Sequence, residues 1–253
     1  MLSIIALGLI SLAGAAQGGT WEGPNNTGIQ TFCTKGGVDE LLIDYEYDPV
    51  SGRPTWQGAF APCSPTTFDA TTFVARGGQP FLGAYRAPTI TYNVQPVSLK
   101  FFTPLAGDMA EGTHAVKRYS GEAAQALTRI VLETGRPAPS VLANYIGWWW
   151  VPAESGTGFS LDIQGTTAFV GIYTYRADGL DDWFISTGAL TTATQFEQDL
   201  QHCDKATGIV VCTPDARGKL RFVAFYQNND SRLPRLTLTL PGGEVKVLEP
   251  YTR

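Results

Sequence analysis

The sequence predicts an all-β protein made of two tandem antiparallel modules, each a barrel or a sandwich, joined by one helix and a proline-rich linker. Three observations support this fold class. The 253-residue chain is rich in turn formers, with 28 glycines and 16 prolines that follow no regular period. Its apolar fraction of 43% and charged fraction of 16% fit a chain with a packed core. Glycines and aromatic residues of the first half also recur in the second half, which predicts two copies of one fold.

The recurrence begins with residues 19–28 and 147–156, where Gly, Trp, Pro and Gly coincide when the sequence is shifted by 128 positions. Three aromatic pairs follow, the first two at the same shift with no gap between and the last at one residue less: Tyr45 with Tyr173, Tyr47 with Tyr175, and Trp56 with Trp183. Such residues are scarce and seldom coincide by chance. We therefore interpret the pattern as an internal duplication, with β-modules at residues 19–119 and 147–253.

Strand and turn patterns are clear within each module. Residues 168–175 are β-branched or aromatic, the turn 176–179 contains Asp178 and Gly179, and residues 183–187 continue as a second strand. This order predicts a β-hairpin. Antiparallel strands joined by tight turns curl into a barrel or a sandwich, because closure protects the exposed strand edges.

One segment between the modules is predicted to be helical. Ser120 can cap its start, Leu127 and the apolar residues that follow form a stripe, and Gly135 ends it. A stiff linker with two prolines completes the segment 120–146. We expect the helix to pack against one end of a barrel.

The N-terminal residues 1–16 have the length and apolar character of a signal peptide and end near the small-residue pattern Ala13-Gly14-Ala15. They lack a positively charged start, which leaves a buried strand or a membrane anchor as the alternative. The sequence therefore predicts a periplasmic or secreted protein with no integral membrane span after signal removal.

Four cysteines agree with export. Of the three possible pairings we favour one bridge within each half, Cys33–Cys63 and Cys203–Cys212, the second of which would staple a hairpin. The alternative is four reduced thiols in the core of a cytosolic protein. With only two histidines a zinc site is disfavoured, and we expect no metal or cofactor.

The charge balance excludes one class of partner. The net charge is −5, and the chain has no run of basic residues. Because binding to nucleic acid depends on clustered Lys and Arg against phosphates, we expect no nucleic-acid partner.

The second half carries a longer pattern that resembles a module of uncharacterised bacterial secreted and periplasmic proteins: Gly147-x-Trp149-x-x-Pro152-x-x-Ser155-Gly156-x-Gly158-Phe159, then Tyr173-x-Tyr175-x-x-x-Gly179-x-x-x-Trp183. The first half departs from it, with Asn26 in place of Glu154 and Gln30 in place of Gly158. The resemblance implies a repeat and an envelope location, and no activity. The opening Gly-x-Trp also resembles the start of lipocalin and avidin-like barrels, which favours a barrel.

Known catalytic motifs are absent from the sequence, so we assign no catalytic residue. Three weaker constellations remain. His114 or His202 could belong to a serine triad, but a surface histidine is favoured. Asp178, Asp181 and Asp182 could hold Ca²⁺, but solvated turn carboxylates are favoured, and only the presence of Glu154 and Asp162 supports a glycosidase pair.

The aromatic residues of the second half are the candidate ligand site. Trp149 has a counterpart in Trp21 and is assigned to the core, whereas its neighbours have Thr20 and Glu22 as counterparts. Large exposed aromatic side chains usually have a partner. The predicted site contains five residues: Trp148, Trp150, Tyr173, Tyr175 and Trp183. Contact with the helix or the other module is the alternative for Trp148 and Trp150.

The leading hypothesis is an exported, non-enzymatic protein that binds a carbohydrate or a small apolar molecule through these aromatic side chains. The second hypothesis is a structural or interaction protein, such as a protease inhibitor or a surface component, with an envelope protein as its partner. The third is an envelope hydrolase.

Overall fold

The computed structural model describes residues 19–24, 27–64, 66–102, 114–133, 142–205, 209–230 and 234–252. In this part of the chain it contains two closed, eight-stranded antiparallel barrels in tandem, as the sequence predicted. The predicted signal peptide at residues 1–16 lies outside the described residues, as does most of the predicted linker. Among the described residues, no helix is long and apolar enough to cross a membrane.

Barrel 1 comprises eight strands that follow one another around the barrel, and a ninth short strand outside it. The barrel strands are β1 (Gly19–Glu22), β2 (Gly28–Cys33), β3 (Asp39–Tyr47), β4 (Pro54–Pro62), β5 (Thr67–Arg76), β7 (Pro96–Phe102), β8 (His114–Tyr119) and β9 (Gln125–Arg129). The short strand β6 (Thr89–Thr91) pairs with β5 alone, at the edge of the sheet. Pairing of β9 with β1 and of β4 with β5 closes the barrel.

The helix predicted in the segment after Ser120 is wrong. Residues Gln125–Arg129 form strand β9 instead, so barrel 1 extends beyond residue 119. Leu127 is buried while both its neighbours are exposed, which is the two-residue period of a strand. Without β9, strands β1 and β8 would each expose an unpaired edge. Strand pairing that closes the barrel therefore stabilises this segment more than a local helix would.

Barrel 2 is a simple meander of eight strands. They are β10 (Gly147–Trp150), β11 (Gly158–Gln164), β12 (Thr167–Tyr175), β13 (Asp181–Thr192), β14 (Gln195–Asp204), β15 (Val211–Tyr226), β16 (Pro234–Thr239) and β17 (Val245–Pro250). Strand β10 pairs with β17 and closes the barrel. A 3-10 turn at Ala143–Tyr145 precedes β10. The ring of Tyr145 stacks on Trp149 with 5.7 Å between centroids and covers the end of the barrel at which β10 begins.

Equivalent strands of the two barrels carry equivalent rows of residues. In barrel 1, neighbours across four strands are Glu22, Gly28, Tyr45 and Trp56. In barrel 2, the corresponding row is Trp150, Gly158, Tyr173 and Trp183. The rows match the aromatic pairs that the sequence pattern identified.

The register also corrects one detail of the sequence alignment. Gly28 corresponds to Gly158 rather than to Gly156, and Gln30 corresponds to Ser160 rather than to Gly158. The β1–β2 connection is two residues shorter than β10–β11, and the β2–β3 connection is two residues longer than β11–β12. These two differences cancel, which is why an ungapped alignment still placed Tyr45 on Tyr173.

Trp21 and Trp149 occupy the interiors of their own barrels, and both are almost fully buried. Both predicted disulfides are present, Cys33–Cys63 in barrel 1 and Cys203–Cys212 in barrel 2. The second joins residues directly opposite each other on β14 and β15 and therefore staples that hairpin, as expected.

Candidate ligand-binding clefts between the barrels

The outer faces of the two barrels pack against each other through aromatic side chains. At the centre, the rings of Tyr45 and Tyr173 stack with 5.1 Å between centroids, and their hydroxyls are hydrogen-bonded to each other. The hydroxyl of Tyr173 also donates to Oε1 of Gln30 at 2.5 Å. Burial raises the pKa of both tyrosines, so the hydroxyls stay protonated and the network stays neutral.

Aromatic contacts around this centre occur in matched pairs. Tyr45 contacts Trp183 at 5.3 Å, and its counterpart Tyr173 contacts Trp56 at 5.9 Å. In the same way Tyr47 contacts Trp183 at 5.6 Å, and Tyr175 contacts Trp56 at 5.9 Å. When residue i contacts j and the counterpart of j contacts the counterpart of i, the interface is isologous. The two barrels are therefore related by a pseudo-twofold axis that passes by the Tyr45–Tyr173 pair.

One side of the axis holds a cavity of about 210 Å³, which we call the tryptophan cleft. Nine of its sixteen lining residues are aromatic, although the ring of one of them, Trp149, packs in the interior of barrel 2, and none of the sixteen is charged. Barrel 1 and its flanking strand supply Trp56, Phe60, Phe73 and Tyr92, and barrel 2 with its C-terminal extension supplies Trp148, Trp149, Trp150, Tyr173 and Tyr251. Tyr92 is 64% exposed and Trp150 is half-buried, so the rim is open to a ligand.

A second cavity of about 240 Å³ lies between equivalent elements on the other side of the axis, and we call it the acidic cleft. Thr20 and Glu22 stand here where the tryptophan cleft has Trp148 and Trp150. Its aromatic walls include Tyr45, Tyr47 and Trp183, and the Cys203–Cys212 disulfide lines one side. Glu22 is exposed and is the one charged residue in this lining.

The five predicted site residues are divided between these features. Trp148, Trp150 and Tyr173 line the tryptophan cleft, and Trp183 lines the acidic cleft. Tyr175 lies in the interface beneath Gly78, where a Cβ would fall 2.0 Å from its ring, and it lines neither cleft.

Trp148 mainly joins the two barrels, the alternative left open by the sequence. It is 6% exposed, and its indole N–H donates to the carbonyls of Phe32 and Leu41 in barrel 1. Trp150 instead contacts Tyr251 edge-on at 5.3 Å and keeps part of its ring accessible.

Sequence reasoning missed the barrel 1 side of the tryptophan cleft: Trp56, Phe60, Phe73 and Tyr92. One available signal was that Trp56 is the counterpart of Trp183. Two like modules that dock symmetrically bring both members of such a pair into the same interface. Phe73 and Tyr92 have no such counterpart in the pattern, and their proximity depends on how β6 folds back on β5.

The carboxylates considered for Ca²⁺ have different partners. Asp181 is bound to Thr55 and Arg76 of barrel 1, Asp182 to His202 at 2.8 Å, and Asp178 to the backbone N–H of Leu180 within its own turn. Among the described residues, no group of His, Cys, Asp and Glu side chains could hold a metal ion.

The two carboxylates considered for a glycosidase also have separate ion-pair partners. Glu154 binds the ammonium of Lys246 at 2.6 Å. Asp162 accepts from the backbone N–H of Thr20 at 3.1 Å and lies 3.9 Å from Arg129. His202, expected at the surface, is half-buried and bonded to Asp182; no serine hydroxyl is among its described partners.

No protein-family model matches the chain, and comparisons with curated proteins and with solved structures found no significant match. The class of the protein is thus defined by its own architecture, a pair of disulfide-bonded eight-stranded barrels docked through a buried aromatic interface.

Proposed function

We propose that this protein is an exported, non-enzymatic binding protein that holds a flat, apolar small molecule in the tryptophan cleft. The observation that carries the proposal is the lining of that cleft, in which aromatic residues predominate and charged residues do not occur. Small-molecule sites are typically concave and mostly apolar, with few polar groups that orient the ligand. Ser155 and Thr157 at the edge of the cleft are suited to that orienting role.

The same lining favours an apolar ligand over the carbohydrate that the sequence left open. A sugar stacks on aromatic rings, but its many hydroxyls also need partners once they leave water. The cleft offers no carboxylate, amide or guanidinium side chain for this purpose. A ligand with few polar atoms loses fewer hydrogen bonds to water when it enters the cleft.

Export and duplication are also part of the proposal. Two disulfides support an oxidising compartment, the periplasm or the cell exterior, and the apolar residues 1–16 support removal of a signal peptide. The equivalent rows and the pseudo-twofold interface support descent from one duplicated barrel. Membership of the secreted and periplasmic proteins with this motif remains our proposal on the same grounds.

An interaction protein is the second candidate, and one feature favours it. Strand β6 pairs with β5 and has a free edge in the described sheet, next to the exposed side chains of Ile90 and Tyr92. An extended segment of a partner protein could add to such an edge as a further strand.

The test of ligand binding is a titration with N-phenyl-1-naphthylamine, a neutral, flat, apolar fluorophore. We expect its fluorescence to rise on binding and Trp150→Ala to weaken the affinity about tenfold, since loss of one stacking ring removes on the order of 1.4 kcal/mol. Phe225→Ala is the matched control, because Phe225 is exposed but lines neither cleft.

Two results would overturn the proposal. One is absence of binding by the unmodified protein, and the other is equal affinity in the Trp150→Ala and Phe225→Ala variants. Binding of a soluble glucan oligosaccharide that depends on Trp150, without binding of the fluorophore, would replace the apolar ligand by a carbohydrate.

A further inference from the structure

The pseudo-twofold axis relates the acidic cleft to the tryptophan cleft, but some equivalent positions in the two clefts carry different residues. We infer that the acidic cleft is a second binding site, one that takes a small organic cation with a methylated or alkylated ammonium group. This site is independent of the apolar ligand proposed for the tryptophan cleft, because the two cavities lie on opposite sides of the Tyr45–Tyr173 pair and share no lining residue.

Aromatic rings form the walls that such a cation requires. The ring of Trp183 meets the rings of Tyr45 and Tyr47 at interplanar angles of 69° and 62°. Rings set steeply to one another form a corner with more than one aromatic surface. A quaternary ammonium group is attracted to the negative face of each ring and loses less hydration energy than a primary ammonium would.

Glu22 supplies the charge. The side chain is exposed, lies in the lining, and forms no ion pair with another described residue. No Lys or Arg belongs to the lining. Arg129 lies 5.8 Å from the Trp21 ring centroid, and its guanidinium faces Asp162, so a carboxylate opposes its charge. A cation in this cleft therefore meets one negative charge that no lining cation neutralises.

A second acidic group acts on the same wall. Burial raises the pKa of Tyr47, and the negative charge of Asp204 adds to the rise. Asp204 thus places a second carboxylate near this wall, one that also lies 3.5 Å from the imidazole of His202.

Gly28 keeps the carboxylate and the rings within reach of one ligand. Glu22 is opposite Gly28, and Gly28 is opposite Tyr45 on the next strand. Two strand spacings amount to about 10 Å, and glycine leaves no side chain between the carboxylate and the tyrosine ring. The close approach of β1 imposes this glycine, since a Cβ there would lie 2.7 Å from the carbonyl oxygen of Trp21.

The corresponding row in barrel 2 shows why the two clefts would choose different ligands. Gly158 and Tyr173 repeat Gly28 and Tyr45, but Trp150 replaces Glu22. The same depression is therefore closed by a neutral ring on one side of the molecule and by a carboxylate on the other.

The test compares choline with 3,3-dimethyl-1-butanol, its neutral isostere, by isothermal titration calorimetry on the full-length protein. We expect choline to bind and the isostere to bind at least tenfold more weakly, because the two differ in charge but hardly in shape. Glu22→Gln should weaken choline binding about threefold, as expected for an exposed charge contact. Phe225→Ala, at an exposed residue that lines neither cleft, should leave it unchanged.

Tyr47→Leu provides a second probe of the aromatic wall, with Tyr85→Leu as the control because Tyr85 is exposed and lines neither cleft. Tyr47→Leu should weaken choline binding about tenfold, because it removes one aromatic wall of the site, and an unchanged affinity in this variant would overturn the inference. Equal binding of choline and its isostere, no choline binding, or an unchanged affinity in Glu22→Gln would overturn the inference. None of these outcomes depends on the fluorophore titration of the tryptophan cleft.

Discussion

The two barrels have equivalent strands but differ in the residues inside their upper ends, which are the ends at the β3–β4 and β12–β13 turns. These residues are polar in barrel 1 and apolar in barrel 2. At equivalent register positions barrel 1 has Asp44 and Gln57, whereas barrel 2 has Ile172 and Phe184. The same architecture thus holds a buried charge in barrel 1 and an apolar core in barrel 2.

The charge in barrel 1 is paired, but Oδ1 of Asp44 is buried with no hydrogen-bond partner among the described residues, and burial raises the pKa of Asp44 despite the nearby Lys117. The ammonium of Lys117 lies 2.6 Å from Asp44, and both side chains are almost completely buried. The hydroxyl of Tyr119 donates to the same carboxylate and accepts from the amide of Gln57 at 2.7 Å. Glu46, 3.6 Å from Lys117, is about one-third exposed and extends the cluster to the surface.

The apolar end of barrel 2 is covered by barrel 1. The segment that follows β5 crosses to barrel 2, where the N–H of Phe81 donates to the carbonyl of Tyr175 at 3.2 Å. The ring of Phe81 stacks on Phe184 at 4.8 Å, and the guanidinium of Arg217 lies over both rings. An apolar interior at a barrel end needs such a lid, whereas the charged cluster of barrel 1 reaches water through the partly exposed Glu46.

The largest expected effect comes from breaking the charged cluster of barrel 1. Asp44→Ala leaves the Lys117 ammonium buried without its closest partner, and we expect a loss of about 3–5 kcal/mol in the free energy of unfolding. Replacing both charges, with Asp44→Leu and Lys117→Met, imitates barrel 2 and should cost less than about 2 kcal/mol. Urea unfolding followed by circular dichroism measures both. A single variant as stable as the double variant would contradict a required ion pair.

Removal of the Phe81 ring, which covers the end of barrel 2, should lower the free energy of unfolding by a smaller amount. Phe81→Ala exposes Phe184, and we expect a loss of about 2 kcal/mol, below the value for a fully buried phenylalanine because Phe81 is half-buried. Tyr85→Ala, in the same segment but exposed, should change stability by less than about 0.5 kcal/mol. If the two variants lose equal stability, Phe81 does not act as a lid.

The smallest effect is a pH dependence confined to barrel 2. Burial by itself lowers the pKa of His202, but its hydrogen bond to Asp182 and the negative charges of Asp182, Asp204 and Asp215 raise it above the ordinary 6.5. The protonated form is thus favoured in the folded state, so this contribution is complete below pH 6.5 and lost as pH rises through the folded pKa.

The contribution should stay below about 1 kcal/mol, since His202 is partly exposed and water screens its charges. NMR titration of the His202 ring should give a pKa above 6.5, which Asp182→Asn should lower. His114→Gln serves as the control, because His114 is exposed on β8 in the other barrel. A His202 pKa that is insensitive to Asp182→Asn would remove the coupling.

The aromatic pattern bears on two separate questions, the number of modules and the location of the candidate site. Tyr45, Trp56, Tyr173 and Trp183 recur as scarce residues at nearly constant spacing, and this predicted two like modules. Two of these residues, Tyr173 and Trp183, were also part of the candidate site predicted from the sequence, yet the structure places both in the contact between the modules. Large outward-facing aromatic side chains indicate a partner, but not whether that partner is a ligand or another part of the chain.

The sequence by itself predicted the all-β class, the two tandem modules and the core positions of Trp21 and Trp149, because these follow from strand periodicity, turn chemistry and scarce residue types. It also favoured the observed cysteine pairing over the two other possible ones. Tertiary structure alone decided that residues 125–129 are a strand, since only an open barrel edge makes pairing there more favourable than a helix. It also decided where the clefts lie, because each is built from outer faces of both barrels. The local sequence pattern of one barrel does not specify which face of the other barrel it contacts.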